Sequence, residues 1–331
     1  MAVPAIPQNV SSVEAFLPVF KKHYAMGTVF EIVAYEANPS RASAVIDEAF
    51  QEIDRLDQVM SRYKPASELS HLNRSAHFRA QVVSPDLYQV MEESLRYSEL
   101  SVGAFDVTAG PLAERWKAVG RGEKAPSPAE EKRLRRGVGY RQVEMIPPCR
   151  IRFHSSRLEV DLGAIGKGYA LDRAAAVLRS GGLDCALINS GGSTLYGLGS
   201  PPDQSGWLVY LRDPSSHLDP HVLLREYSVS TSEQTPQSLL GMSSFGHIID
   251  TATGKPLKTS IAVSVVAETA TASDALSTAF LLMGPAKGRN LVKRLKNVAA
   301  LWVSPERPPE IATSGPEILM SRSQVVVRNP D

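Results

Sequence analysis

Apolar side chains recur along the first part of the chain at two spacings, and each spacing predicts a different element. Val29 to Tyr35 (VFEIVAY) is an unbroken β-branched and aromatic run and predicts a strand. Ser40, just after Pro39, is placed to cap a helix. Beyond it Val45, Ala49, Ile53, Leu56 and Met60 return at steps of three and four, the stripe of a helix packed on a core. Ser84-Pro85 opens a second helix with Leu87, Val90, Met91 and Leu95 inward. Ser127-Pro128 with Glu130 repeats the N-cap, the first-turn proline and the capping box, after a polar surface loop from Gly120 to Pro128. Residues 1–22 hold three prolines and no clear period. They read as an N-terminal arm, with one domain, which could comprise two intertwined lobes, over residues 23–331.

The texture changes near residue 150, where short runs alternate with Gly, Pro and Ser. Leu158 to Asp161, Cys185 to Asn189, Trp207 to Leu211, Phe245 to Asp250 and Ile261 to Ala267 are strand candidates, interrupted by helices near 166–180 and 271–283. This is no strict strand-helix alternation, so the expected class is α+β, with mixed, largely antiparallel sheets and helices packed on them. Lys and Arg number 36 against 35 Asp and Glu, a formal charge of +1, which argues against a phosphate-neutralising nucleic-acid binder. With 43% hydrophobic and 21% charged residues the chain should fold. No run approaches the roughly 18 apolar residues of a transmembrane segment. Lys21 and Lys22 follow the first apolar stretch rather than precede it, so no signal peptide is expected and the location is read as cytoplasmic. Cys149 and Cys185 have neither the spacing of a zinc site nor that of a disulfide framework.

Four segments carry candidate chemistry. Glu159 to Asp172 (EVDLGAIGKGYALD) runs an expected strand into a Gly-rich turn and a helix. Backbone N–H groups at a helix start, cleared of bulk by Gly163, Gly166 and Gly168, make an anion site, and Lys167 adds a positive charge. The spacing is neither the dinucleotide fingerprint nor the P-loop, so a tight turn packing a helix on a sheet is an equal reading. Asp161 could accept from a ligand or simply cap the turn. In Thr271 to Gly284 (TASDALSTAFLLMG), Asp274 and Thr278 share one helix face. Carboxylate and hydroxyl are hard ligands suited to Mg²⁺ or Ca²⁺, although on these residues alone the commoner role of such an Asp is to serve the helix dipole. His247, three residues before Asp250, is a candidate general base or a satisfied polar group. Phe105 and Asp106, in the turn Gly103-Ala104-Phe105-Asp106, could stack on and hydrogen-bond a flat heterocycle, or plug the turn.

These segments fall into a longer order: AMGT, SRYKPASELSHLN, GAFDVTAGPL, VDLGAIGKGYALD, NSGG, VSTS, HIIDTATGKP and SDALSTAFLLMG, from about Ala25 to about Gly284. The series resembles the ApbE family, the FAD:protein FMN transferases. The resemblance implies FAD in a cleft, held by Met26, Tyr63, Ala104, Phe105, Asp106, Asp161, Lys167 and Ile249. It implies Mg²⁺ ligated by Asp274, Thr278 and the backbone carbonyl of Ala164. It further implies transfer of FMN from FAD to a Ser or Thr hydroxyl of an acceptor flavoprotein, with release of AMP, and His247 is the candidate base for that hydroxyl. A Mg²⁺-dependent FAD pyrophosphatase giving FMN and AMP, and a non-catalytic FAD-binding protein, are the alternatives. The chain departs from the family pattern at Ser232, followed by Glu233 rather than Gly, at Ala252, where a proline is common, and at Ser193 after NSGG. Those positions bear on acceptor recognition more than on FAD or metal. Many relatives are exported lipoproteins; with no signal or lipid-bearing cysteine seen, the cytoplasmic reading becomes periplasmic only if the start is incomplete.

Overall fold

The computed structural model describes residues 17–215, 218–234 and 248–322. The chain is already paired six residues before the expected boundary at His23. β1 (Leu17–Ala25) and β2 (Thr28–Glu36) form an antiparallel hairpin, closed by Met26 and Gly27 with φ of 49° and 75°. Two successive positive φ values give the turn that matches strand twist. α1 (Pro39–Met60) follows with the predicted stripe buried, but its cap is Asn38 rather than Ser40: the Asn38 carboxamide accepts from Arg41 N–H at 3.1 Å, and Pro39 sits in the first turn. α2 (Glu68–Ser75), β3 (Gln81–Val82) and α3 (Pro85–Leu100) come next, α3 capped by Ser84 as expected. α4 (Gly110–Gly120) and α5 (Pro128–Arg135) are joined by the surface loop. Ser127 caps α5, yet the Glu130 carboxylate turns to Arg115 at 2.8 Å instead of back to the cap, so only half of the capping box forms.

β4 (Val143–Ile146) and β5 (Arg150–Phe153) form a hairpin, with β3 on the other side of β5. Leu158 to Asp161 is not a strand. Its extended backbone is held by a side chain: Asn73 accepts from Val160 N–H at 2.9 Å and donates to Val160 C=O at 3.0 Å, while Asp161 N–H donates to Val107 C=O at 2.8 Å. After it come α6 (Gly166–Ser180), β6 (Ala186–Ser190), β7 (Thr194–Leu198), β8 (Trp207–Tyr210), β9 (Leu218–Leu224) and β10 (Tyr227–Glu233). Of the strand expected over Phe245 to Asp250, only β11 (Ile249–Asp250) is seen, paired with β12 (Lys255–Pro256); residues 245–247 lie outside the described residues. β13 (Ala262–Ala267) leads to α7 (Ala270–Val292), which continues past the expected end through a break at Gly284, φ 72° and ψ 170°, before Pro285. β14 (Ala299–Ser304), β15 (Arg307–Thr313) and β16 (Leu319–Arg322) complete the described chain.

The main sheet has eight strands in the order β1-β2-β6-β7-β10-β13-β14-β15. A smaller sheet, β16-β9-β8, has three. The class is α+β as expected, with every ladder among the described residues antiparallel. One face of the main sheet packs on α1, α6 and α7 in the largest core; Val266, Ala299, Leu301 and Val303 on the other face meet Trp207, Val209, Val222 and Leu224 of the smaller sheet. Covered on both sides, β13 and β14 are buried at every residue, whereas β2 alternates. No helix among the described residues is long and apolar enough to cross a membrane.

Asn73 thus fixes the segment that delivers Asp161. Asn73→Ala removes both bonds to Val160 and should lower the unfolding free energy by about 1–3 kcal/mol, read from denaturant titration.

Candidate active site

A cleft of about 670 Å³ is bounded by three parts of the chain. One is the start of α6 and the first turns of α7, with the end of β10. The second is the turn at Ala104–Asp106 with Ile248, Ile249 and Thr251. The third is the end of β8, Val209 to Arg212. Tyr63, Ala104, Phe105, Asp106, Asp161, Ala164, Lys167, Ile249, Asp274 and Thr278 all line it, so ten residues predicted from sequence converge here.

The centre of the site is the crossing of α6 over α7. A side chain on Gly168 would collide with the Ala270 carbonyl and come within 2.8 Å of Asp274 Cβ, so only glycine permits the approach. Gly168 N–H then donates to Asp274 Oδ2 at 3.0 Å rather than to Ala164, its partner four residues back in an α-helix. The Ala164 carbonyl consequently accepts no hydrogen bond from the described residues and stays free at the cleft wall. Gly163 N–H donates to Asp161 Oδ1 at 2.9 Å, shaping the turn. Lys167 Nζ donates to the Gly163 carbonyl at 3.2 Å and lies 3.9 Å from Asp274 Oδ2. Asp172, one turn further along α6, accepts from Ala270 N–H at 2.7 Å, Thr271 N–H at 2.8 Å and Thr271 Oγ1 at 2.5 Å, capping α7 from the neighbouring helix.

Asp274 is only 5% exposed, so it is not the solvent-facing residue of a polar helix start. Its other oxygen faces hydroxyls: Thr194 Oγ1 donates to Oδ1 at 3.4 Å and Ser230 Oγ at 3.5 Å. The row continues from Ser230 to Ser277 at 3.4 Å, from Ser277 to Ser232 at 2.8 Å, and from Ser232 to Thr278 Oγ1 at 3.2 Å. Both α7 groups are therefore held by one line of hydroxyls from β7, β10 and α7. Asp274 carboxylate, Thr278 hydroxyl and Ala164 carbonyl are all hard oxygen donors. With a single carboxylate they suit Mg²⁺, which keeps water and substrate phosphates in its shell. No group of three or more His, Cys, Asp or Glu converges among the described residues, so ligand oxygens would have to supply much of that shell.

The opposite wall departs further from expectation. The Phe105 ring is 1% exposed and meets Tyr97 edge-on at 6.4 Å, so it presents no open face for stacking. Burial raises the Asp106 pKa above its ordinary value, against hydrogen bonds from Thr108 and Tyr140 N–H that favour its charge. Those bonds, at 2.7–3.0 Å, use both carboxylate oxygens to build the wall. Two aromatics lining the cleft are exposed, Tyr63 at 67% and Tyr210 at 65%; the Tyr63 hydroxyl accepts from Lys117 Nζ at 3.0 Å and its ring lies beside Arg62 at 5.4 Å. Arg62 donates to Asp161 Oδ2 at 3.0 Å. Burial disfavours the Arg62 charge, but Asp161 outweighs it and holds the pKa above the usual value. Met26 does not line the cleft. It sits at the β1–β2 tip, packed partly on the main core. His247 lies outside the described residues; Ile248, next to it, is fixed on the cleft by Gln234, whose Oε1 accepts from Ile248 N–H at 3.2 Å.

Sequence reasoning missed Arg62 and Asp172 as site-builders, although both stood within quoted segments. It also missed the hydroxyl row, Lys117, and Tyr210 with Arg212 at the end of β8; no local pattern announces these, because each matters only through a partner distant in the chain.

With the geometry in place, comparison with known proteins defines the class. The fold is that of the flavin transferases. The flavin transferase ApbE of Vibrio cholerae superposes with a TM-score of 0.79 at 25% identity, covering 90% of this chain and 98% of that one. The ApbE protein of Thermotoga maritima gives 0.78 at 25% identity, covering 89% and 97%. Among curated proteins, the FAD:protein FMN transferase of Treponema pallidum is 29% identical over 303 residues, 85% of this chain and 83% of its own. That of Vibrio cholerae is 30% identical over 276 residues, 80% of each. The ApbE family model matches residues 26–302, and the chain belongs to the ApbE family.

Gly168→Ala should force α6 and α7 apart, lowering stability by about 1–3 kcal/mol in denaturant unfolding. Ala at Gly192, where an added Cβ meets nothing within 4 Å, should cost less despite its φ of 73°.

Proposed function

We propose that this protein transfers FMN from FAD, with Mg²⁺, to a Ser or Thr hydroxyl of an acceptor flavoprotein and releases AMP. The observation that carries the reading is the convergence of Asp274, Thr278, the free Ala164 carbonyl and Lys167 at one end of a single cleft. The relatives named FAD:protein FMN transferase support it.

In this reading the acceptor hydroxyl oxygen attacks the phosphorus on the riboflavin side of the FAD diphosphate. A new P–O bond forms, the anhydride P–O bond breaks, and AMP leaves with the bridging oxygen. Such transfer depends mainly on positioning and on neutralising phosphate charge. Asp274, Thr278 and the Ala164 carbonyl would hold Mg²⁺, which supplies charge neutralisation at the diphosphate. Lys167 lends its ammonium to the same oxygens, and the backbone donors at the start of α6 add to the field. Tyr63 offers an exposed ring at the rim for a flat ring system. The Arg62–Asp161 pair ties the segment after α1 to the start of the Gly-rich turn. His247 is assigned the acceptor proton on its position in the chain, adjacent to the cleft-lining Ile248 and Ile249.

The deciding measurement incubates the protein with FAD and Mg²⁺, with and without an acceptor flavoprotein domain, following AMP by chromatography and acceptor mass by spectrometry. AMP formed only with acceptor, with an FMN-sized mass gain, is the expected result. AMP and free FMN without acceptor would instead mean pyrophosphatase activity, and no AMP under either condition would leave a flavin binder or the wrong acceptor.

Two variants examine the roles. Asp274→Asn keeps the shape but removes the charge, and should weaken Mn²⁺ binding in the presence of a diphosphate, followed by electron paramagnetic resonance, by at least about tenfold. His247→Ala should bind FAD normally in fluorescence titration while losing transfer by a factor of about 10²–10⁴; lost FAD binding would reassign the residue to ligand contact.

A further inference from the structure

The chain is electrically near neutral, with a formal charge of +1, but its charge is unevenly placed. α5 carries Lys132, Arg133 and Arg135 near its end, and Arg136 follows. The β4–β5 hairpin and its flanks add Arg141, Arg150, Arg152 and Arg157. All eight side chains are exposed, and none forms an ion pair within 4.0 Å among the described residues.

Other exposed cations, such as Lys287, Lys293, Arg294 and Lys296 at the end of α7, also form no ion pair among the described residues, but on the surfaces of α1, α3 and α6 the arginines are paired. Lys21, Arg55, Arg96, Arg173, Arg179 and Arg289 are each matched to a carboxylate. Within the basic region, Glu130 is taken by Arg115 and Glu144 by His154, which leaves Glu131 against eight cations. Cations in a last helical turn complement the helix dipole, which accounts for α5. It does not account for the hairpin, where Arg150 and Arg152 occupy the two outward positions of β5.

The region is joined to the cleft wall. Leu134 and Val138 pack with Leu112 and Trp116 around Ile249, which lines the cleft. Tyr140 N–H and Gly139 N–H are bonded to Asp106 and Thr108 at 3.0 and 2.7 Å. The side chain of Arg135 lies over Gly254, three residues beyond the cleft residue Thr251. The end of α5 and the exit of the hairpin meet where Gly137 abuts the Arg157 backbone. A macromolecule seated here would be held beside the cleft mouth.

We infer that this unpaired basic face, α5 with the β4–β5 hairpin, docks an acidic surface of the acceptor flavoprotein and steers it to the cleft. The inference rests on the transferase reading above. Its physical basis is electrostatic steering: a patch of one sign raises the encounter rate with an oppositely charged partner by about 10- to 1,000-fold, and the gain falls steeply with salt. Charges at the rim of an interface act on association more than on the bound state. An anionic membrane surface would be attracted by the same charges. Attachment to the cleft wall favours the acceptor, because FMN transfer requires that partner and no other at this position.

The test reverses Arg133, Arg136, Arg150 and Arg152 to Glu, all exposed and none lining the cleft. A second protein with the same positions as Gln controls for folding, with thermal melting and FAD fluorescence titration on both. Flavinylation is followed against an intact acceptor domain and against a short peptide carrying the same acceptor hydroxyl, over a range of NaCl concentrations. The expected result is a fall of roughly tenfold or more in kcat/KM for the domain in the Glu variant, with kcat at saturation and the rate with peptide retained. The salt dependence of the unaltered protein should flatten in both variants. Equal kcat/KM and salt dependence in all three proteins overturns the inference while leaving the transferase reading standing. Absence of transfer by the unaltered protein overturns that reading and the inference with it. Sedimentation with vesicles containing phosphatidylserine gives the remaining arm: binding lost in the Glu variant while domain kinetics stay unchanged would assign the face to a membrane and overturn acceptor docking.

Discussion

The close crossing of α6 over α7 at Gly168 is the constraint on which the rest of the site depends. Without a Cβ, the α6 backbone approaches the Ala270 carbonyl closely enough for Gly168 N–H to reach Asp274. That single diversion takes a donor out of the α6 ladder, frees the Ala164 carbonyl and orients the carboxylate. Asp172 then secures the first turn of α7 from the α6 side through three hydrogen bonds. The oxygens of Asp274 and Thr278 on α7 and of Ala164 in the turn that enters α6 are placed by the contact between the two helices, so the arrangement proposed above for a metal is a consequence of packing.

The burial of Asp274 follows from the same crossing and explains the hydroxyl row beneath it. An unpaired buried carboxylate is costly, and here Gly168 N–H, Thr194 and Ser230 share the task of solvating it. A hydroxyl can turn to donate or accept, so the row from Ser230 through Ser277 and Ser232 to Thr278 can adjust as the charge at the site changes. Lys167 stands 3.9 Å from the carboxylate, too far for a hydrogen bond to it, and donates instead to the Gly163 carbonyl at 3.2 Å. It remains available to a phosphate oxygen while being held near where one would lie.

How much of this was legible from sequence depended on whether a signal was local. The α1 stripe, the Ser84 cap and the Asp274–Thr278 pair are set by spacing within one helix, and the structure contains them. The two-sided burial of β13 and β14 also shows in sequence, as the unbroken runs AVSVVA and AALWVS. Leu158 to Asp161 misled because its extended backbone is paired by the Asn73 side chain, and composition does not separate that from a strand ladder. Ser40 was displaced as a cap because Pro39 fits the first turn, moving the cap to Asn38. In the site, the family resemblance named Phe105, but its ring is turned into the core, which no local pattern in the sequence reveals. The partners of Asp274 on β7 and β10 lie more than 40 residues away in the chain, beyond any periodicity.

The division of charge follows the division of labour. The helix end of the cleft has one carboxylate buried among donors, so in the proposed reading a diphosphate would meet little fixed negative charge there. Arg62 is spent on Asp161, and the cations of α1, α3 and α6 are matched to carboxylates across helix surfaces, where such pairs chiefly fix geometry. Eight unmatched cations gather on α5 and around the β4–β5 hairpin, whose inward side chains Val143, Ile151 and Phe153 join the main core while its arginines face outward. Those elements touch the cleft through Ile249 and Asp106, so their charge can act on an approaching body without perturbing the reacting groups. In the proposed reading, binding of a small anionic ligand and recruitment of a large acidic one would fall to separate surfaces joined by one wall.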